Sequence, residues 1–270
     1  MCTRIIAQTR LLAVCFVMLS CGGLAQAAEL SISPLRVGLA PDQNSGNVNI
    51  VNRGSEPIAM QVEAFAWTQD GGLDLHSETE AVLAVPPIFE LAPGETQLIR
   101  IGLLVPRDQL EEAAYRLVLT ELKPPVVSAD NRGLRMRTGL RMRMRVSIPV
   151  FVLPEAEPHS TLDLDRFVIV DGMAHFRLHN HGNTHVRLER LQLLGDNGRE
   201  TGSVQDFATY LLPGVSREFV LRMPDDGEVG RVRVRTSAIE RIDFPTTEYR
   251  VEVNDEAMAG NTLPAVGESM

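Results

Sequence analysis

From Leu30 onward, apolar and polar residues alternate over short runs, the period-two pattern of strands with one buried face. Val48, Ile50 and Asn52 fall on one side, and Asn47, Asn49 and Val51 on the other. After the turn-forming Arg53-Gly54-Ser55-Glu56-Pro57, the residues Ile58, Met60, Val62, Ala64 and Ala66 share a face opposite Gln61, Glu63, Phe65 and Trp67. Asp70-Gly71-Gly72 ends that run as a turn. Further strands read at Gln97 to Leu103, Tyr115 to Leu122 and Leu134 to Leu153, the last unusually long. Such spacing fits a β-sandwich. The one helix-like segment in this half, Arg107 to Ala114, is too short to build a layer.

Pro154-Glu155-Ala156-Glu157-Pro158 is a stiff connector of the kind that joins domains. Beyond it the strand pattern restarts at Phe167 to Val170, Ala174 to Leu178, His185 to Leu194, Arg217 to Leu221, Gly230 to Thr236 and Thr247 to Val253. The expected architecture is all-β: one sandwich over residues 28–154, a second over 155–253, and a poorly ordered tail of small and acidic residues over 254–270.

The first 27 residues read as a secretory leader. Arg4 and Arg10 precede the apolar run LLAVCFVML, and Ala25-Gln26-Ala27 offers a cleavage site before Ala28. Cys2, Cys15 and Cys21 all lie in that leader, so the mature sandwiches must hold without disulfides in an oxidising compartment. Leu19-Ser20-Cys21-Gly22 also resembles a lipoprotein cleavage box, which leaves acylation at Cys21 as an alternative. The chain carries a net charge of -9, and its leader removes two arginines and no acids, so the mature protein is more acidic still.

Against that acidity, Leu134 to Phe151 carries a line of arginines. In a strand, Leu134, Met136, Leu140, Met142, Met144, Val146 and Ile148 share one face, and Arg135, Arg137, Arg141, Arg143, Arg145 and Ser147 share the other. Without aromatic interleaving, and with an acidic balance overall, this is not a nucleic-acid grip. An apolar face of that length exceeds what one small domain can bury, so it suits β-strand addition to a partner. The arginines opposite it keep the edge soluble and deter self-association, and some are candidates to meet acidic groups on the partner.

Several features in register resemble the periplasmic chaperones of the chaperone-usher pathway for pili, particularly the branch serving spore-coat-U-like subunits. They are Pro34-Leu35-Arg36 on an early strand, the Asn52-containing strand, Val62 to Trp67 before a turn, and Pro86-Pro87 with Leu91-Ala92-Pro93-Gly94-Glu95. Ile99-Arg100-Ile101, Tyr115-Arg116-Leu117, Glu121-Leu122-Lys123-Pro124-Pro125 and Ile148-Pro149-Val150-Phe151 with Pro154 continue the series. His179-Asn180-His181-Gly182-Asn183 carries a weaker likeness in the second half.

The resemblance implies two immunoglobulin-like domains in a boomerang arrangement. It implies a periplasmic protein that binds pilus subunits by donor-strand complementation and delivers them to an outer-membrane usher, with no cofactor, no nucleic acid and no small-molecule substrate. A self-capping dimer of the free protein stays open. The donor residues would be Leu140, Met142, Met144 and Val146. Family members hold the subunit's terminal carboxylate with basic side chains in the interdomain cleft. Arg36 matches the usual arginine, whereas alignment on Pro154 puts Pro149 where the usual lysine stands. Arg116 and Arg145 are the substitutes, Arg116 preferred because Tyr-Arg-Leu is itself part of the likeness. Arg100 and Glu121 resemble a charge network that sets the interdomain angle, with Glu240 or Asp243 as partner.

Enzyme signatures are missing from the sequence: no Gly-x-Ser-x-Gly elbow occurs, and no glycine-rich phosphate loop precedes a helix. His175, His179, His181 and His185 come nearest to a metal signature. However, His175 and His179 stand about 13 Å apart along a strand, too far to share one ion, and only a hairpin could bring His179 to His185. A two-sandwich adhesion module, lipid-anchored or metal-binding, is the competing reading.

Overall fold

The computed structural model describes residues 30–108, 110–122, 143–194, 200–223, 231–237 and 249–252, and every regular element among them is a strand. The leader, the tail, Glu240, Asp243 and the stretch 123–142, which includes Leu140 and Met142, lie outside the described residues.

The first sandwich contains β1 (Leu30–Ser33), β2 (Val37–Leu39), β3 (Ser45–Asn52), β4 (Ile58–Asp70), β5 (Leu73–Glu78), β6 (Val82–Val85), β7 (Ile88–Leu91), β8 (Thr96–Leu103), β9 (Ala113–Glu121) and β10 (Arg145–Val152). One sheet runs β1-β3-β8-β6 and the other β2-β10-β9-β4-β5, with β7 paired to β4. The inward-facing Val48, Ile50, Met60, Val62, Ile99, Ile101, Leu117, Leu119, Ile148 and Val150 fill a single core between them. Period-two burial along β3 and β4 follows from one face meeting the other sheet.

The second sandwich holds β11 (Leu162–Val170), β12 (Met173–Asn180), β13 (Val186–Leu194), β14 (Glu200–Leu211), β15 (Ser216–Arg222), β16 (Arg231–Ser237) and β17 (Tyr249–Glu252). Its sheets run β11-β12-β15 and β14-β13-β16-β17 around a separate core that includes Phe167, Phe176, Leu178, Leu188, Leu191 and Phe219.

Two expectations from the sequence are corrected. Among the described residues of Arg107 to Ala114 there is no helix. The exposed Asp108 carboxylate accepts hydrogen bonds from the N–H groups of Leu110 and Glu111. These bonds close a turn and hold its carboxyl below the usual range. Arg107 instead donates to the carbonyls of Leu39, Leu153 and Gln43, fastening the ends of β2 and β10 together. Pro34-Leu35-Arg36 is likewise not strand but the crossing between sheets, since β1 pairs antiparallel with β3 and β2 pairs parallel with β10. A proline without an N–H cannot continue the β1 ladder, and the chain changes sheets there.

Both sandwiches use the same corner. Asn52, buried at the end of β3, donates to the carbonyls of Glu56 and Leu91 and accepts from the N–H of Gly54. Asn180, buried at the end of β12, donates to those of Thr184 and Leu211 and accepts from the N–H of Gly182. Each asparagine also receives the N–H of the turn glycine, Gly94 or Gly214, on its backbone carbonyl.

The connector between sandwiches is pinned to the second of these corners. His159 N–H donates to Asn183 Oδ1, and Thr184 Oγ1 donates to the His159 carbonyl. Gly182 lies so close that a Cβ there would come 2.5 Å from the His159 carbonyl oxygen.

Candidate functional site

β10 is paired on one side along its whole length and on the other only at its end. Its antiparallel register with β9 runs from Arg145 opposite Thr120 to Val152 opposite Ala113. Its parallel register with β2 covers only Val150, Phe151 and Val152. Residues 145–149 therefore present an edge without a strand partner among the described residues.

Hydrogen bonds fix which groups that edge offers. Glu121 N–H donates to the Met144 carbonyl, so even-numbered residues of β10 point their backbone groups at β9. Leu153 N–H donates to the Leu39 carbonyl, which puts odd-numbered residues on the opposite side. Arg145 and Ser147 thus offer both N–H and C=O outward, whereas Pro149 has no N–H and its C=O lies on the side where Val37 of β2 pairs with Val150.

The face of this sheet turned away from the core collects basic and aromatic residues. Arg116 lies opposite Pro149 on one side and Phe65 on the other. Its guanidinium stacks 3.6 Å from the Trp67 ring centroid, with Tyr210 of the second sandwich at 5.9 Å. Asp74 stands 3.8 Å from its Nη2, and the Arg116 side chain is only 14% exposed. Desolvation lowers the Arg116 pKa, while the charges of Asp74 and Tyr210 oppose that shift. Its Nε is buried and makes no hydrogen bond. Arg36 is half-buried just ahead of Val37, the residue that pairs with Val150, and is engaged by other groups. Both arginines thus stand where the open edge stops.

Directly beside them the two sandwiches meet. Trp67, Phe151 and Leu212 form a small separate core, with Ala114 and Tyr210 packed on it. The Gln69 amide donates to the Tyr210 carbonyl and to Asp74 Oδ1, and accepts from Leu212 N–H. Trp67 Nε1 donates to the same Asp74 oxygen. Below this, His185 Nδ1 lies 2.8 Å and 3.0 Å from the two Glu112 oxygens, and its ring stacks on Phe151 at 3.5 Å.

Of the residues singled out in the sequence, Arg36 and Arg116 are brought to one end of the open edge. Arg145 is exposed at the far end of β10, opposite Thr120, away from that pair. Met144 is half-buried and precedes β10, while Val146 packs against the core of its own sandwich. Arg100 is exposed on β8 in the other sheet, and Glu121 Oε2 accepts the Met144 N–H. Neither lies at the seam, where Glu112, His185 and Gln69 hold the sandwiches together. His179 and His185 are not brought together either: His179 Nδ1 meets Ser216 Oγ at 2.7 Å, and His185 meets Glu112. Among the described residues no group of three or more His, Cys, Asp or Glu side chains is arranged to hold a metal ion.

The seam residues were missed because a two-face reading assigns each strand one buried side. A usable signal was present. Trp67 and Phe151 are large aromatics standing on the outward phase of otherwise well-patterned strands, which marks a second buried surface.

Comparison with known proteins fits this architecture. Residues 29–157 match the family described as pili and flagellar-assembly chaperone, PapD N-terminal domain. The probable fimbrial chaperone YadV of Escherichia coli (strain K12) is 26% identical over 147 residues, which are 53% of this chain and 57% of that protein. The match thus spans little more than half of that relative. The fold matches a chain of the CsuC–CsuE chaperone–tip adhesion subunit pre-assembly complex from the archaic chaperone-usher Csu pili of Acinetobacter baumannii. That match has a TM-score of 0.59 at 19% identity, covering 83% of this chain and 98% of the other. The crystal structure of YadV itself gives a TM-score of 0.54 at 19% identity over 82% and 99% of the two chains. Residues 29–157 thus match the PapD-type N-terminal domain of pili and flagellar-assembly chaperones, and with a second immunoglobulin-like sandwich behind that domain the chain has the fold of the solved pilus chaperones it resembles.

Proposed function

We propose that this protein is a periplasmic chaperone that holds pilus subunits by lending them a strand and passes them to an outer-membrane usher. The domains are the sandwiches over residues 28–154 and 155–253, behind a leader over residues 1–27 that directs export. The observation that carries the reading is the open edge of β10 at residues 145–149, which ends beside Arg116.

A subunit strand added there gains main-chain hydrogen bonds from Arg145 and Ser147 whatever its sequence. Met144, with Leu140 and Met142 before it in the sequence, supplies adaptable apolar side chains to the subunit's open core. The subunit's terminal carboxylate then meets Arg116, whose fork donates to it bidentately, with Arg36 as the second basic group. Arg145, remote from that pair, serves solubility and partner steering. No nucleotide is required, because exchange for a better-fitting strand from the next subunit is downhill.

Co-expression with a pilus subunit tests this. Met144→Asp buries a charge in the subunit and is expected to abolish its recovery while leaving the chaperone folded. Undiminished recovery would remove Met144 from the contact.

A further inference from the structure

Pro149 interrupts the open edge at the place where the arginines stand. It is buried, and the alternation fixed by the Met144 and Leu153 hydrogen bonds turns its nitrogen away from β9. The edge therefore offers N–H donors at Arg145 and Ser147 and none at Pro149. Position 151 is already taken, since Phe151 pairs with Gly38 of β2. Opposite Pro149 on β9, Arg116 holds its buried Nε without a hydrogen bond.

A uniform ladder specifies register weakly, because a slip of two residues keeps every side chain on its own face. A missing donor changes that. A strand slipped forward past Ser147 would bring a main-chain carbonyl to a position with no N–H to receive it, and would bury it there. A terminal carboxylate at the same position has no such difficulty, because the guanidinium on the neighbouring strand supplies the donors.

We propose that Pro149 is a register stop. It ends the run of backbone donors, so that an added subunit strand is fixed with its last residue opposite Pro149 and its carboxylate bonded to Arg116. This deepens the strand-addition reading above and rests on it. Prolines on edges also deter self-pairing of like chains, but that role does not depend on the length of the partner's strand, and register stopping does.

The test compares a native-length pilus subunit with one lengthened by two residues at its C-terminus. Each is co-expressed with the unaltered chaperone, with Pro149→Ala and with Pro149→Val, and melting curves establish that each variant is folded. The unaltered chaperone is expected to recover the longer subunit about tenfold less well, and the variants to narrow that gap to about threefold or less. Equal recovery of both lengths by the unaltered chaperone, or tenfold discrimination retained by both folded variants, overturns the register stop alone. Failure to recover the native-length subunit at all overturns strand addition, and the register stop with it.

Discussion

Glu112 and His185 meet across the seam between the two sandwiches, Nδ1 to Oε1 at 2.8 Å, with side chains 0% and 1% exposed. The same carboxylate accepts His185 N–H, and Glu112 N–H donates to the Asn183 carbonyl. Five polar groups, the Glu112 carboxylate and N–H, His185 Nδ1 and N–H and the Asn183 carbonyl, are thus satisfied only while the sandwiches stay together. Removing one partner of a buried pair leaves the other uncompensated. Glu112→Ala is expected to cost about 3 kcal/mol and to loosen the seam. Chemical denaturation and small-angle scattering read the two effects, and an unchanged radius of gyration would show that the pair does not hold the domains.

Trp67 and Arg116 form a unit, not two independent contacts. The guanidinium carbon lies 3.6 Å from the indole ring centroid while Nε stays without a hydrogen bond. Arg116→Lys keeps the charge but loses both the fork and the stacking, so it should bind a synthetic peptide of a subunit's last residues nearly as weakly as Arg116→Ala does, about tenfold or more below the native protein. Titration calorimetry against free-acid and amidated peptides checks this. Full rescue by lysine would reduce Arg116 to a point charge.

The matched corners at Asn52 and Asn180 give each sandwich its own lock. Alanine at either position leaves two carbonyls, one in a turn and one at a strand end, without that donor, at a cost of about 2–3 kcal/mol. Region-resolved hydrogen exchange should show Asn52→Ala loosening β3 and β8, and Asn180→Ala loosening β12 and β15. Loosening of both sandwiches by either change would mean that they open as one unit.

Much of the fold was legible because a half-buried strand writes its period into the sequence. β3, β4 and β8 lie within a residue or two of where alternation puts them. β5 carries little such signal, since all six of its residues are exposed. The crossing at Pro34-Leu35-Arg36 was invisible to a local pattern, because a change of sheet is a matter of partners rather than of period. Of the long strand read over Leu134 to Leu153, the described part is β10 at Arg145–Val152, and the arginines from Arg135 to Arg141 lie outside the described residues. That Glu112, rather than Glu121, would be the carboxylate at the seam was not legible: its partner lies 73 residues away, and only tertiary packing joins them.

Strand lending makes its most direct demand on four amides of β10. In the free protein, the N–H groups of Val146 and Ile148 face β9, while those of Arg145 and Ser147 face the open edge. Residue-resolved hydrogen exchange on the free protein and on its purified complex with a pilus subunit separates the two pairs. Arg145 and Ser147 should exchange rapidly when free and slow by about a hundredfold or more in the complex, with Val146 and Ile148 protected in both. A stable complex in which Arg145 and Ser147 still exchange as they do in the free protein would contradict strand addition at β10.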